Sequence, residues 1–203
     1  MPNPLTSQAK RRESYHHGDL RAGLIQAGIS QLEQSGPDGL SLRAIAHLTG
    51  VSASAPYRHF PNRGKLLEAI AVEGYHRVAD LLNRPDVNVG EAAERITTFA
   101  KEHPGWWELM VAAPAELGSD LEGARGVFLG ELVGIVERHA TAADPEEAIR
   151  LAVAFWAAVL GLTALRARGG MALLDDTLIP SAKSLAEAVV SGRPLGGAGG
   201  RRR

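Results

Sequence analysis

The chain of 203 residues contains no cysteine. Disulfides, thiolate metal sites, cysteine nucleophiles and thiol redox sensing are therefore excluded together, and a reducing compartment suits the protein. The opening residues, MPNPLTSQAKRRESYHHG, carry charge but no apolar run, so no secretory signal is expected and the cytoplasm is the expected location. Long apolar runs are missing too. The longest uncharged stretch, residues 151–165, is bounded by Arg150 and Arg166. It is shorter than the roughly 20 residues of a membrane span, so it reads as a buried helix, with no membrane partner. The 23 glycines and 11 prolines show no period, and 45% hydrophobic residues is too many for a disordered chain.

Signatures of catalysis are equally scarce. No Gly-rich phosphate loop follows a strand, no serine stands in a nucleophile elbow, and no helix carries His and Glu at zinc-ligand spacing. His16 and His17 are adjacent and therefore face different ways, with no third ligand in view, so no metal site is expected. Glu102 and His103 beside Trp106 are the only polar pair next to an apolar patch, and such pairs are commonly just exposed. The expectation is a protein with no cofactor and no enzymatic activity.

A large excess of charge is also lacking, since the net value is -1. Taken as an average, that argues against a nucleic-acid partner. The average conceals an uneven distribution. Residues 1–63 hold seven basic and four acidic side chains, a balance of +3, whereas residues 64–195 hold 12 basic and 19 acidic ones, a balance of -7. Arg201, Arg202 and Arg203 restore +3 at the end. The N-terminal part can approach an anion and the middle cannot.

What fills the chain is helical periodicity, and no run of alternating β-branched residues interrupts it. The predicted class is all-α, with about nine helices. The first covers residues 19–34 and stops at Ser35-Gly36-Pro37; the second starts at the N-cap Ser41 and buries Leu42, Ile45 and Ala46. Gly50 is free to adopt positive φ, and Ser52 is expected to cap a third helix that reaches Phe60, with Pro56 tolerated in its first turn. Asn62 recaps the chain for a fourth. A seventh helix near residues 121–139 carries Gly126, Gly130 and Gly134 at four-residue spacing, a stripe that allows close helix approach. Asp144-Pro145-Glu146-Glu147 opens the eighth, and the ninth covers residues 176–191.

Residues 41–60, SLRAIAHLTGVSASAPYRHF, read as two short helices around a Gly-containing turn, the pattern of a DNA-reading helix-turn-helix. Small side chains at Ser52, Ala53, Ser54 and Ala55 can enter a major groove without steric conflict. Tyr57, Arg58, His59 and Arg63 can reach phosphate oxygens.

At these positions the chain resembles the TetR-type transcriptional repressors. The likeness rests on YHHGDLR at residues 15–21, the block 40–51, and Tyr57-Arg58-His59-Phe60 followed by Arg63 and Leu66-Leu67. The resemblance implies that Arg43 contacts a base or a phosphate, that Ser52, Ala53, Ser54 and Pro56 lie on the groove-facing edge, and that Tyr57, His59 and Arg63 clamp phosphates. Further on, Trp156 with Leu160-Gly161 is loosely similar to a TetR subgroup with Trp and His-Gly on the eighth helix, its WHG-type C-terminal domain. Leu160 stands where the subgroup has His, so no polar role carries over.

The resemblance implies an organisation of a basic arm at residues 1–14, a three-helix helix-turn-helix domain at 15–75, a ligand-binding and dimerisation domain at 76–195, and a Gly/Arg tail at 196–203. Phe99, His103, Trp106, Trp107 and Met110, with Phe128, Phe155 and Trp156, then become candidates for an effector pocket, although residue for residue core packing accounts for them better. Ala157, Gly161 and Ala164 on the eighth helix and Ile179, Ala182, Leu185, Ala186 and Val189 on the ninth become candidates for a dimer interface, or for intramolecular core. The expected protein is a homodimeric repressor on a palindromic double-stranded DNA operator, released by an unidentified small-molecule effector. The alternative is an effector-independent DNA-binding scaffold of the same fold with a protein partner.

Overall fold

In the computed structural model, residues 20–112, 118–139, 144–167 and 180–192 are described. They contain eight α-helices, two 3-10 turns and no strand. The chain divides into two units, one ending at Ala71 and one beginning at Val72.

The first unit opens with α1 (Leu20–Ser35), which buries Leu24, Ile25, Gly28, Ile29 and Leu32. That face follows from apolar residues recurring at three- and four-residue intervals. Gly36 at φ 68° ends the helix, and a 3-10 turn, Pro37–Gly39, leads to the buried Leu40. Ser41 caps α2 (Leu42–Leu48), its side chain accepting from the Ala44 N–H. The exit from α2 is a Schellman motif: the Val51 N–H bonds the Ala46 carbonyl at 3.0 Å and the Gly50 N–H bonds that of His47 at 3.2 Å. Gly50 makes this possible at φ 70°.

The next segment differs from expectation. Residues 52–60 form no α-helix but a turn followed by a 3-10 turn, Pro56–Arg58. Pro56 has no N–H to offer the Ser52 carbonyl, which instead accepts from Ala55 at 2.9 Å, and Arg58 bonds Ala55 in the same tight pattern. Asn62 then starts α3 (Arg63–Leu82), its Oδ1 accepting from the Lys65 N–H at 2.9 Å. Gly28 lets α1 approach α3 closely, because a Cβ there would lie 2.7 Å from the Ile70 side chain.

The residues of α3 from Val72 onward belong to the second unit. With them stand α4 (Val89–Glu102), α5 (Pro104–Ala112), α6 (Ser119–His139), α7 (Pro145–Ala167) and α8 (Ala182–Ser191). Local signals set their starts. Asn88 accepts from Glu91 at 3.0 Å, Asp144 from Glu147 at 2.7 Å, and Ser181 from Ser184 at 3.0 Å. α8 packs on α4 and α7, and α7 packs on α6. Two glycines permit near contact. A Cβ at Gly74 would lie 2.7 Å from Trp106 Nε1, and one at Gly90 2.6 Å from the Lys183 stem. The Tyr75 hydroxyl donates to the Met110 carbonyl at 3.1 Å, fixing α3 against α5 within this unit. Residues 176–179 of the expected last helix lie outside the described residues, as do the arm at 1–14 and the tail at 196–203.

Candidate nucleic-acid interface

The exposed side of the first unit is built by α2 and the segment after it. Arg43 projects from the outer face of α2, opposite Ile45 and Ala46. Past Gly50, Ser52, Ala53 and Ser54 are exposed, with the two hydroxyls 3.2 Å apart. Tyr57, Arg58 and His59 are exposed as well. The exposed stretch thus offers small side chains at residues 52–54 and hydroxyl, guanidinium and imidazole groups at residues 57–59.

Two of the expected residues make contacts within the first unit, Arg63 while remaining exposed. Pro56 is buried, so it does not lie on a groove-facing edge. The 3-10 turn brings positions 56 and 60 inward, with the Phe60 N–H bonded to the Pro56 carbonyl at 2.8 Å, and both side chains leave solvent. Arg63 turns toward its own domain: Nε donates to the Leu40 carbonyl at 3.2 Å, Nη2 donates to the Pro37 carbonyl, and Asp38 lies 3.8 Å away. A further cation escaped sequence reasoning. Arg21 places its guanidinium over the Phe60 ring, 5.4 Å from the centroid. Its only sequence signal was membership of the YHHGDLR stretch.

In the second unit, Phe99, Trp106, Trp107, Met110, Phe128 and Phe155 are buried, and His103 and Trp156 are half-buried. Most of these rings pack on one another. Phe99 meets Trp106 at 5.4 Å, Trp107 meets Trp156 at 5.7 Å, and Phe128 meets Trp156 at 4.7 Å. A depression of about 350 Å³ lies to one side, lined by Arg77, Leu81, Glu91, Glu94, Arg95, Thr98, Phe99, Glu102 and His103. It shares only Phe99 and His103 with the aromatic set. Arg95 is held there by Glu91 and by the Leu81 carbonyl at 2.7 Å. No group of three potential metal ligands occurs among the described residues.

The residues expected at a dimer interface separate into two groups. Ala157, Gly161 and Ala164 are exposed on α7, together with Ile149, Val153 and Leu165. Ala182 and Ala186, by contrast, are buried within the unit, because α8 lies close against α4 at Gly90. Leu185 and Val189 are half-buried, and Ile179 lies outside the described residues. An 18-residue window of α7 has a mean hydropathy of 2.0 with 33% of it buried. By length and composition α7 could cross a membrane, contrary to the count of its uncharged residues, since the helix winds past Arg150 and Arg166 at either end. Its inner face, including Ala152, Phe155, Val159 and Leu162, is nevertheless buried in this unit. On α6, nothing among the described residues lies within 4 Å of a Cβ built at Gly126 or Gly130, so these two glycines pack against no neighbouring helix among those residues.

Comparison with known proteins matches residues 24–70 to the family model described as bacterial regulatory proteins, tetR family, and residues 89–189 to a tetracyclin repressor-like C-terminal domain. The HTH-type transcriptional regulator Mb1846 of Mycobacterium bovis is 32% identical over 114 residues, 52% of this chain and 48% of that protein. The chain thus spans about half the length of the curated relatives it matches. A solved structure of a protein of unknown function from Rhodococcus sp. RHA1 superposes with a TM-score of 0.69 at 32% identity, covering 87% of this chain and 94% of that one. A possible TetR family transcriptional regulator from Streptomyces coelicolor superposes with a TM-score of 0.54 at 25% identity, covering 70% and 69%.

Proposed function

The chain belongs to the tetR family of bacterial regulatory proteins and is a DNA-binding transcriptional regulator; from that premise we propose that it is a cytoplasmic homodimeric repressor of a palindromic operator, released by a small-molecule effector. The apolar face of α7 that the described residues leave exposed carries the reading. Ile149, Val153 and Leu165 are each about half exposed and flanked by the small residues Ala157, Gly161 and Ala164. A face of that size and composition is stable in water when a second copy covers it. Two-fold symmetry then requires an inverted repeat, with half-site centres about 34 to 36 Å apart or a multiple of that distance. The domain organisation follows the same reading: a DNA-binding part to about residue 75, and a regulatory and dimerisation part from there to 195.

An effector seated among Trp107, Phe128 and Trp156 has to part rings that now touch. Its binding is therefore coupled to a change of shape, and it releases DNA to the extent that it favours the parted state over the packed one. Close packing of the same rings also favours the second reading, an effector-independent scaffold with a protein partner. Selection of bound sequences from a random duplex pool, combined with a compound screen that scores thermal stabilisation and DNA release together, tests both. An inverted repeat bound by two subunits and a compound that scores on both counts support the repressor. A monomer on a direct or single half-site overturns the dimer, and DNA release by a protein partner alone favours the scaffold.

A further inference from the structure

Arg21 is the second residue of α1, and neither the helix-turn-helix pattern nor the family likeness gave it a task. Its guanidinium lies over Phe60, whose ring is only 2% exposed, so the cation covers the small part of the ring that the core leaves open. Arg21 forms no ion pair among the described residues and remains exposed. Arg63 is the contrast: its donors face the Pro37 and Leu40 carbonyls and Asp38. Phe60 closes the exposed stretch at residues 57–59, and the His59 ring stands 6.5 Å from its own. A cation from the first helix is thereby brought beside the end of the reading segment.

The geometry points to Arg21 as a DNA-backbone contact: Phe60 holds the guanidinium beside residues 57–59, and its N–H groups take a phosphate oxygen of the duplex. The contact is independent of base sequence, so no operator is needed to detect it. Binding of the full chain to a short fluorescein-labelled duplex of arbitrary sequence is measured by anisotropy over a series of salt concentrations. Arg21→Met keeps the apolar cover on Phe60 and removes the charge. The log-affinity against log-salt slope becomes shallower by about 0.9 for each subunit bound. Arg21→Lys, which retains the charge, restores the parental slope, and Arg84→Met, a charge change in the second unit, leaves it unaltered. A parental slope in the Met variant overturns the assignment. So does an equal loss of slope in the Arg84 variant, which would make the effect one of net charge. Equal weakening in the Met and Lys variants with lowered melting temperatures overturns it in favour of packing alone.

Discussion

Arg63, at the start of α3, donates its Nε–H to the carbonyl of Leu40 at 3.2 Å, across the turn that joins α1 to α2. The same guanidinium bonds the Pro37 carbonyl, so one side chain ties both ends of the 3-10 turn to the third helix. Arg63→Ala is expected to destabilise the first unit by about 1–2 kcal/mol, toward the low end for hydrogen bonds to a charged group because the side chain is partly exposed. Its salt slope on duplex DNA should stay close to parental. Urea unfolding read beside the salt series decides the point: full stability with a slope shallower by about 0.9 would restore Arg63 to the phosphate clamp.

Ser52 and Ser54 touch one another through their hydroxyls at 3.2 Å and stand exposed after Gly50, where the proposal puts the base edges. Ser54→Ala removes a donor and acceptor without altering charge. The expected outcome is a changed base preference at one or two operator positions, with the salt slope unmoved. Sequencing of duplexes selected by the parent and the variant reads this directly, and identical preferences would place Ser54 away from the base edges.

Val153 is half exposed on the outer face of α7, with Ala157 and Gly161 along the same helix. Val153→Glu places a carboxylate at a half-exposed position where it can reach solvent, so the fold is expected to persist. At a subunit interface, the same charge would be buried without a partner and would disfavour association strongly. Light scattering on the eluting protein should show the mass fall to that of one chain. A variant that stays at the parental mass would move the interface off this face.

Two glycines give opposite expectations for one substitution. At Gly74, a Cβ would press on Trp106 Nε1 at 2.7 Å, and overpacking by about 1–3 kcal/mol outweighs the gain of up to about 1 kcal/mol in helix propensity. Gly74→Ala therefore lowers the melting temperature. At Gly126, nothing among the described residues lies within 4 Å of the added methyl, so Gly126→Ala keeps the propensity gain and raises stability. Thermal unfolding of the two variants side by side checks the pair, and a lower melting temperature for a monomeric Gly126→Ala would contradict the open surroundings described for it.

Helix ends and turn glycines were legible from the chain alone. Ser41, Asn62, Asp144 and the positive φ of Gly50 do what short-range chemistry requires, because a cap or a Schellman turn is satisfied by groups three to five residues away. Residues 52–60 mark the limit of that reasoning. Their pattern is helical, but the missing N–H of Pro56 tightened the segment into a 3-10 turn and turned Pro56 inward. Faces and partners were decided only by tertiary packing. Ala182 and Ala186 on α8 and Ala157 and Ala164 on α7 are the same small apolar residue, yet the first pair is enclosed and the second exposed. Arg21 and Arg63 are the same cation, yet one stands over the Phe60 ring with no ion pair among the described residues and the other bonds two carbonyls. Periodicity states that a helix has an apolar side; which neighbour covers that side depends on residues distant in sequence, and on whether a helix such as α7 has more apolar surface than its own subunit can enclose.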